Sequence, residues 1–183
     1  MNFIWILIGV VAVPILWLIY AYNRLVTLRM RAKEAISDID VQLKRRYDLI
    51  PNLVEAVKGY MTHEKSVLEN VTAARSKVVQ GGDAVHRAHD ENALSGTLKT
   101  LFAVAEGYPE LKANTNFVEL QRELTDTENK IQASRRFYNT TVRDLNTIIE
   151  TFPTNLIAGS FGFAHMDFFE ADESEKEPVQ VKF

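Results

Sequence analysis

The sequence predicts an all-α protein, with an N-terminal transmembrane helix followed by an antiparallel helical bundle of three long helices and a short C-terminal helix. Three observations predict it. A stretch of about twenty residues, Phe3 to Tyr22, carries no charged side chain, which is the length one helix needs to cross a hydrocarbon core of ~30 Å. All 21 Lys and Arg and all 24 Asp and Glu come after Asn23, so an apolar segment precedes an evenly charged one with a net charge of −3 overall. Beyond that segment, apolar residues recur at steps of three and four, the period of one helix face.

The first element reads as a retained anchor over residues 1–23. Only Met1 and Asn2 precede the apolar run, without the basic residues of a signal peptide. The best cleavage site, Ile19-Tyr20-Ala21, would place a bulky β-branched residue where a small one is wanted. Trp5, Trp17, Tyr20 and Tyr22 lie towards the two ends, where amphipathic rings favour the membrane interface. Pro14 sits mid-span, which membrane helices tolerate. Arg24, Arg29, Arg31 and Lys33 follow directly, and this positive bias predicts a single-pass protein of the cell (inner) membrane with its soluble domain in the cytoplasm. The chain has no cysteine, so it gives no redox indication of compartment.

Residues 24–169 read as one helical domain. From Ala32 to Gln80, a stripe that includes Ile36, Ile39, Leu43, Ile50, Leu53, Val57, Val71 and Val78 predicts one long helix, ended by Gly81-Gly82. Pro51 lies inside it and predicts a bend or a joint. A second helix, capped by Asp83, runs to about Glu106 through Leu94, Leu98, Leu101 and Ala105, until Gly107-Tyr108-Pro109 breaks it. The third carries Phe117, Leu120, Leu124, Thr127, Ile131, Tyr138, Leu145 and Ile148 at alternating steps of three and four, the seam of a bundle or coiled coil, and Asn114 or Asn116 is placed to cap it. A short fourth segment, from Thr154 to Phe169, precedes an acidic and mostly irregular tail over 170–183, whose last five residues alternate like an edge strand.

At ~1.5 Å per residue the first helix would be ~73 Å long, the second ~36 Å and the third ~54 Å. The mismatch predicts that Ile36, Ile39, Leu43 and Ile50 lie bare near the membrane, where a second copy covers them.

Several words of the sequence point to one family. Asp38-Ile39-Asp40-Val41-Gln42-Leu43-Lys44-Arg45-Arg46-Tyr47-Asp48-Leu49-Ile50-Pro51-Asn52-Leu53-Val54 is the longest. Ala103-Val104-Ala105-Glu106-Gly107-Tyr108-Pro109-Glu110-Leu111-Lys112-Ala113-Asn114 lies further on, and Arg135-Arg136-Phe137-Tyr138-Asn139 and Phe152-Pro153-Thr154-Asn155-Leu156-Ile157-Ala158 follow. In these words and their order the chain resembles LemA proteins over nearly its whole length. The resemblance implies an N-terminal membrane helix and an α-helical bundle, and it brings no established catalytic activity with it.

The residues carry no catalytic constellation. His63-Glu64 is half of a zinc-protease motif, but the second His is replaced by Val67. His86 and His89 share a helix face and fall short of a ligand set, so no metal and no cofactor is expected. There is no nucleophile elbow and no phosphate loop, and the acidic balance disfavours nucleic acid.

Two groups remain. Asp40, Lys44, Arg46 and Glu128 predict a charge network: Asp40 stands four residues before Lys44, and Arg46 falls near the apolar stripe, where it is placed to pair with Glu128 or Glu123. Phe161, Phe163, Phe168 and Phe169, with Phe152, make half of the chain's ten Phe and must pack on the bundle, on a neighbouring subunit or into lipid. The expected function is a membrane-anchored, non-enzymatic scaffold that self-associates at the bacterial cell membrane. The expected partners are the lipid bilayer and further copies of the chain. The other reading is an adaptor or sensor for a membrane protein such as an envelope protease.

Overall fold

The fold comes from a computed structural model of the chain, which describes residues 2–81 and 88–169. These residues form six helices and no strand: α1 (Asn2–Lys58), α2 (Lys65–Gln80), α3 (Ala88–Ala105), α4 (Pro109–Lys112), α5 (Thr115–Glu150) and α6 (Asn155–Ala158). Gly82, the Asp83 cap, His86 and the acidic tail with its expected strand lie outside the described residues.

The first long helix differs from the expectation in where it breaks. Helix α1 passes through Pro14 and Pro51 and stops at Lys58, where Gly59 supplies a residue with low helix propensity. The amides of Tyr60 and Met61 both donate to the Val57 carbonyl at 3.0 and 2.9 Å, closing the last turn. Pro51 costs α1 one hydrogen bond, because it has no N–H to offer the carbonyl of Tyr47. That carbonyl instead accepts from Arg75 Nε, on α2, at 2.8 Å. Two connections are tied by side chains. Asn114 Nδ2 donates to the Tyr60 hydroxyl at 3.2 Å, and Asn114 Oδ1 caps α5 by accepting from the Phe117 amide at 3.1 Å.

The chain divides into two compact units. The first joins the residues up to Ala35 with Phe137–Phe168, and the second joins Ile36–Arg136 with Phe169. The core of the first unit is Leu25, Leu28, Leu145, Ala158 and Phe163, with Ile148, Ile149 and Met166 against it. The start of α1 stands clear of this core: Phe3, Trp5, Ile8, Val11, Leu16 and Tyr20 are all exposed, and this is the one helix among the described residues long and apolar enough to cross a membrane.

In the second unit, α2 packs on α3, and the buried set includes Ile39, Leu43, Ile50, Leu53, Val57, Val71, Leu94, Leu101, Leu124 and Ile131. The expectation of a bare stripe is therefore corrected. Ile39, Leu43 and Ile50 are at most 1% exposed within a single chain, and Ile36 is half-buried. One helix running on to Gln80 would have left the stripe bare. With the break after Lys58, Ile36–Lys58 is only ~35 Å long, which the ~33 Å of α5 within this unit suffices to cover.

Candidate functional site

The second unit is organised around a buried charge. Arg46 follows Leu43 by three residues and precedes Ile50 by four, so the helix period turns it into the core with them. Its side chain is 1% exposed, a position that calls for partners; its two terminal nitrogens have them, while its buried Nε has no hydrogen-bond partner among the described residues. Nη2 donates to Glu91 Oε2, while Nη1 donates to Glu128 Oε2 at 2.6 Å and to Ser95 Oγ at 2.9 Å. The hydroxyl of Tyr47 donates to the other oxygen of Glu91. Gln132 Nε2 reaches Glu128 Oε1 at 3.1 Å, and Ser95 Oγ lies 3.1 Å from Glu128 Oε2. Helices α1, α3 and α5 are thus joined by one guanidinium and two carboxylates.

The environment of Glu128 sets its acidity. Burial acts most strongly and raises the carboxyl, but the charge of Arg46 and the hydrogen bonds from Gln132, Ser95 and Arg46 together outweigh it. The net result is a carboxyl held below its ordinary value, so Glu128 is an anion at neutral pH.

The other network residues sit apart. Asp40 and Lys44 lie on the exposed face of α1, and Glu123 pairs with Arg45 rather than Arg46. Glu91 was not singled out in the sequence, although a signal for it exists: it occupies the position three before Leu94 and seven before Leu98, on an otherwise apolar stripe, and is fully buried. A charge at a core register position asks for a buried partner, and Arg46 is the same anomaly on α1.

The aromatic residues near the C-terminus separate into two fates. Phe163 is 6% exposed in the core of the first unit, with the Arg29 guanidinium 4.7 Å from its ring centre and Tyr22 edge-on at 5.8 Å. Phe169 is buried in the second unit, with the guanidinium of Arg135 over its ring at 5.4 Å. Phe152, Phe161 and Phe168 remain exposed. What turns Phe163 inward is a helix ending in the left-handed conformation. Gly162 has φ 70°, its amide donates to the Gly159 carbonyl at 3.2 Å, and the Phe163 amide donates to the Ala158 carbonyl at 2.9 Å. This is a Schellman ending, whose accompanying apolar contact is Phe163 with Ala158.

Among the described residues, no three metal-ligating side chains come together, and His89 is exposed beside Asp90. His63 and Glu64 lie on the turn between α1 and α2, where the Tyr108 hydroxyl lies 3.5 Å from Glu64 Oε1.

The sequence profile of the LemA family matches residues 35–183. The chain belongs to the LemA family. Protein LemA of Metamycoplasma hominis is 28% identical to it over 98% of this chain and 84% of that relative. Magnetosome protein MamQ of Magnetospirillum gryphiswaldense is 22% identical, and magnetosome protein MamQ 2 of Paramagnetospirillum magneticum 23%, each over 88% of this chain and 69% of its own. The family match begins at Ala35, so it takes in Arg46, Glu91 and Glu128 and leaves out the apolar start of α1.

Proposed function

We propose that this LemA-family protein is a membrane-anchored, non-enzymatic scaffold that self-associates at the cell membrane. In this reading it crosses the inner membrane once and holds its charged part in the cytoplasm as an antiparallel helical bundle. The observation that carries the reading is the start of α1, an uncharged segment exposed on all sides that only lipid or protein can cover. The basic residues after it, Arg24, Arg29, Arg31 and Lys33, support the orientation. The antiparallel arrangement is supported within the second unit by two contacts. Arg46 meets Glu128, and Tyr60 meets Asn114, so α1 advances as α5 recedes.

A structural role fits the buried cluster. The oxygens of Glu91 and Glu128 are occupied by Arg46, Tyr47, Ser95 and Gln132, which leaves neither poised as an acid or base for a substrate. Confinement to a bilayer raises local concentration, so modest apolar contacts suffice for assembly, and Val41 and Val118 are exposed on the second unit. The test is light scattering on full-length protein in mild detergent, which is expected to give the mass of an oligomer. A monomer at all concentrations would refute self-association.

A second reading, as an adaptor for a membrane partner, has one observation in its favour. An open groove of about 700 Å³ lies between the end of α1 and α2, with Val54, Met61, Leu68 and Ala73 along its wall. Deleting the protein would then change the proteolysis of a partner without any loss of assembly.

A further inference from the structure

We infer that residues 152–161 form a second, monotopic contact with the bilayer, seated in the headgroup zone beside the point where α1 leaves it. The inference rests on the membrane-spanning reading of α1. Its basis is a juxtaposition inside the first unit. Tyr22 ends the uncharged stretch of α1, and the ring of Phe161 packs edge-on against it at 5.0 Å. Phe161 therefore lies at the depth where the span meets water.

The segment around Phe161 is two-faced. Ala158 and Phe163 turn into the core, held there by the Gly162 ending, while Phe152, Leu156 and Phe161 point outward, 74%, 67% and 48% exposed. A water-facing surface segment ordinarily carries charge on its outer side. Here no charged residue occurs between Glu150 and His165, and those two face each other at 3.4 Å, closing the uncharged stretch. The outward neutral positions are Asn155, Gly159 and Ser160, so the segment has the composition of an interfacial element with aromatic anchors. The adjoining basic side chains, Arg24 and Arg31, are exposed on α1 just beyond Tyr22, where anionic headgroups would meet them. A second copy of the chain would also bury these side chains, but the contact with Tyr22 places them beside lipid already.

The absence of cysteine makes the test direct. Full-length Leu156→Cys protein, labelled with the fluorophore NBD, is reconstituted into nanodiscs of phosphatidylcholine and phosphatidylglycerol. A second sample carries the label at Lys112→Cys, an exposed position of α4 in the second unit. The label at 156 is expected to emit to the blue of the label at 112. Lipids carrying a quencher near the headgroup should quench it several-fold more strongly. Phe152→Ser with Phe161→Ser should reduce that difference while far-UV circular dichroism stays unchanged. Equal emission and equal quenching at the two positions would overturn the inference. So would a blue-shifted label at 156 that lipid quenchers do not reach, which would assign the face to a second copy. Native Trp5 and Trp17 report the span separately. If acyl-chain quenchers act on them while headgroup quenchers do not act on the label at 156, only this inference fails. If acyl-chain quenchers do not reach Trp5 and Trp17, the anchor reading fails and this inference with it.

Discussion

The guanidinium of Arg75 donates to the carbonyl of Tyr47, the one carbonyl of α1 that Pro51 leaves without its helical donor. A proline in the interior of a helix normally costs its kink and an orphaned acceptor. Here a side chain from α2 satisfies the acceptor, and α1 continues to Lys58. Proline and arginine are thus a matched pair, and neither is explained alone.

Arg75→Ala should therefore destabilise the second unit by about 1–3 kcal/mol, the penalty for a partly buried acceptor left unmet. In a Pro51→Ala background, the helix supplies its own donor and the same change should cost much less. A double-mutant cycle by urea unfolding in mild detergent measures the difference. Equal costs in both backgrounds would separate the two residues.

Removing one partner of the buried cluster should be far more damaging than removing a surface pair. Arg46→Met is expected to cost about 3–5 kcal/mol, because it strands the buried carboxylate of Glu91, and Glu91→Gln less, because Arg46 keeps Glu128. Lys130→Ala, which breaks an exposed pair with Asp126 at 2.7 Å, should change stability far less. Thermal melts followed by circular dichroism rank the three.

Acid should loosen the second unit through Glu128. Its carboxyl is depressed in the folded chain, so its contribution is fully present above its unfolded value of about 4.3 and is lost as pH falls through the folded value. Unfolding midpoints should thus fall as pH drops below about 4.3. Glu128→Gln should lower stability at neutral pH and flatten that acid dependence. An unchanged pH profile in the variant would remove Glu128 from the account.

Gly162→Ala tests the ending that turns Phe163 inward. A Cβ at φ 70° meets open space but still pays the left-handed conformational penalty, about 1–2 kcal/mol. The loss should be confined to the first unit, so hydrogen exchange should rise at Leu145 and Ile148 and stay constant at Leu101 and Ile131.

Periodicity made the helices legible and left their breaks obscure. The period through Leu53 and Val57 marked a core face, whereas Leu43 and Ile50 on the same stripe were expected bare and are buried; Asn114 was visible, beside Asn116, as a cap because its side chain suits that role. The turn at Gly59 was missed because the apolar period continues across it through Met61 and Val71, and Pro51 is the stronger breaker by propensity. Propensity has no knowledge of Arg75, twenty-eight residues away along the chain. Arg46 was legible from its register as a charge near the core, with Glu128 or Glu123 as its partner, whereas Glu91 was hidden by its type: a glutamate near a helix start reads as a solvated residue unless its position on the stripe is weighed first. The two fates of the C-terminal phenylalanines were beyond a reading of composition, since it takes the Gly162 turn to bring Phe163 to the core and the Arg135 contact to hold Phe169.

The account depends most on the start of α1 crossing a bilayer, and labelling from the two sides tests that directly. Single cysteines at Asn2 and Lys33, in a chain that has none, are exposed in intact spheroplasts to a membrane-impermeant maleimide. The predicted result is labelling of the Asn2→Cys variant from outside and of the Lys33→Cys variant only after lysis. Labelling of both from the same side would contradict the span.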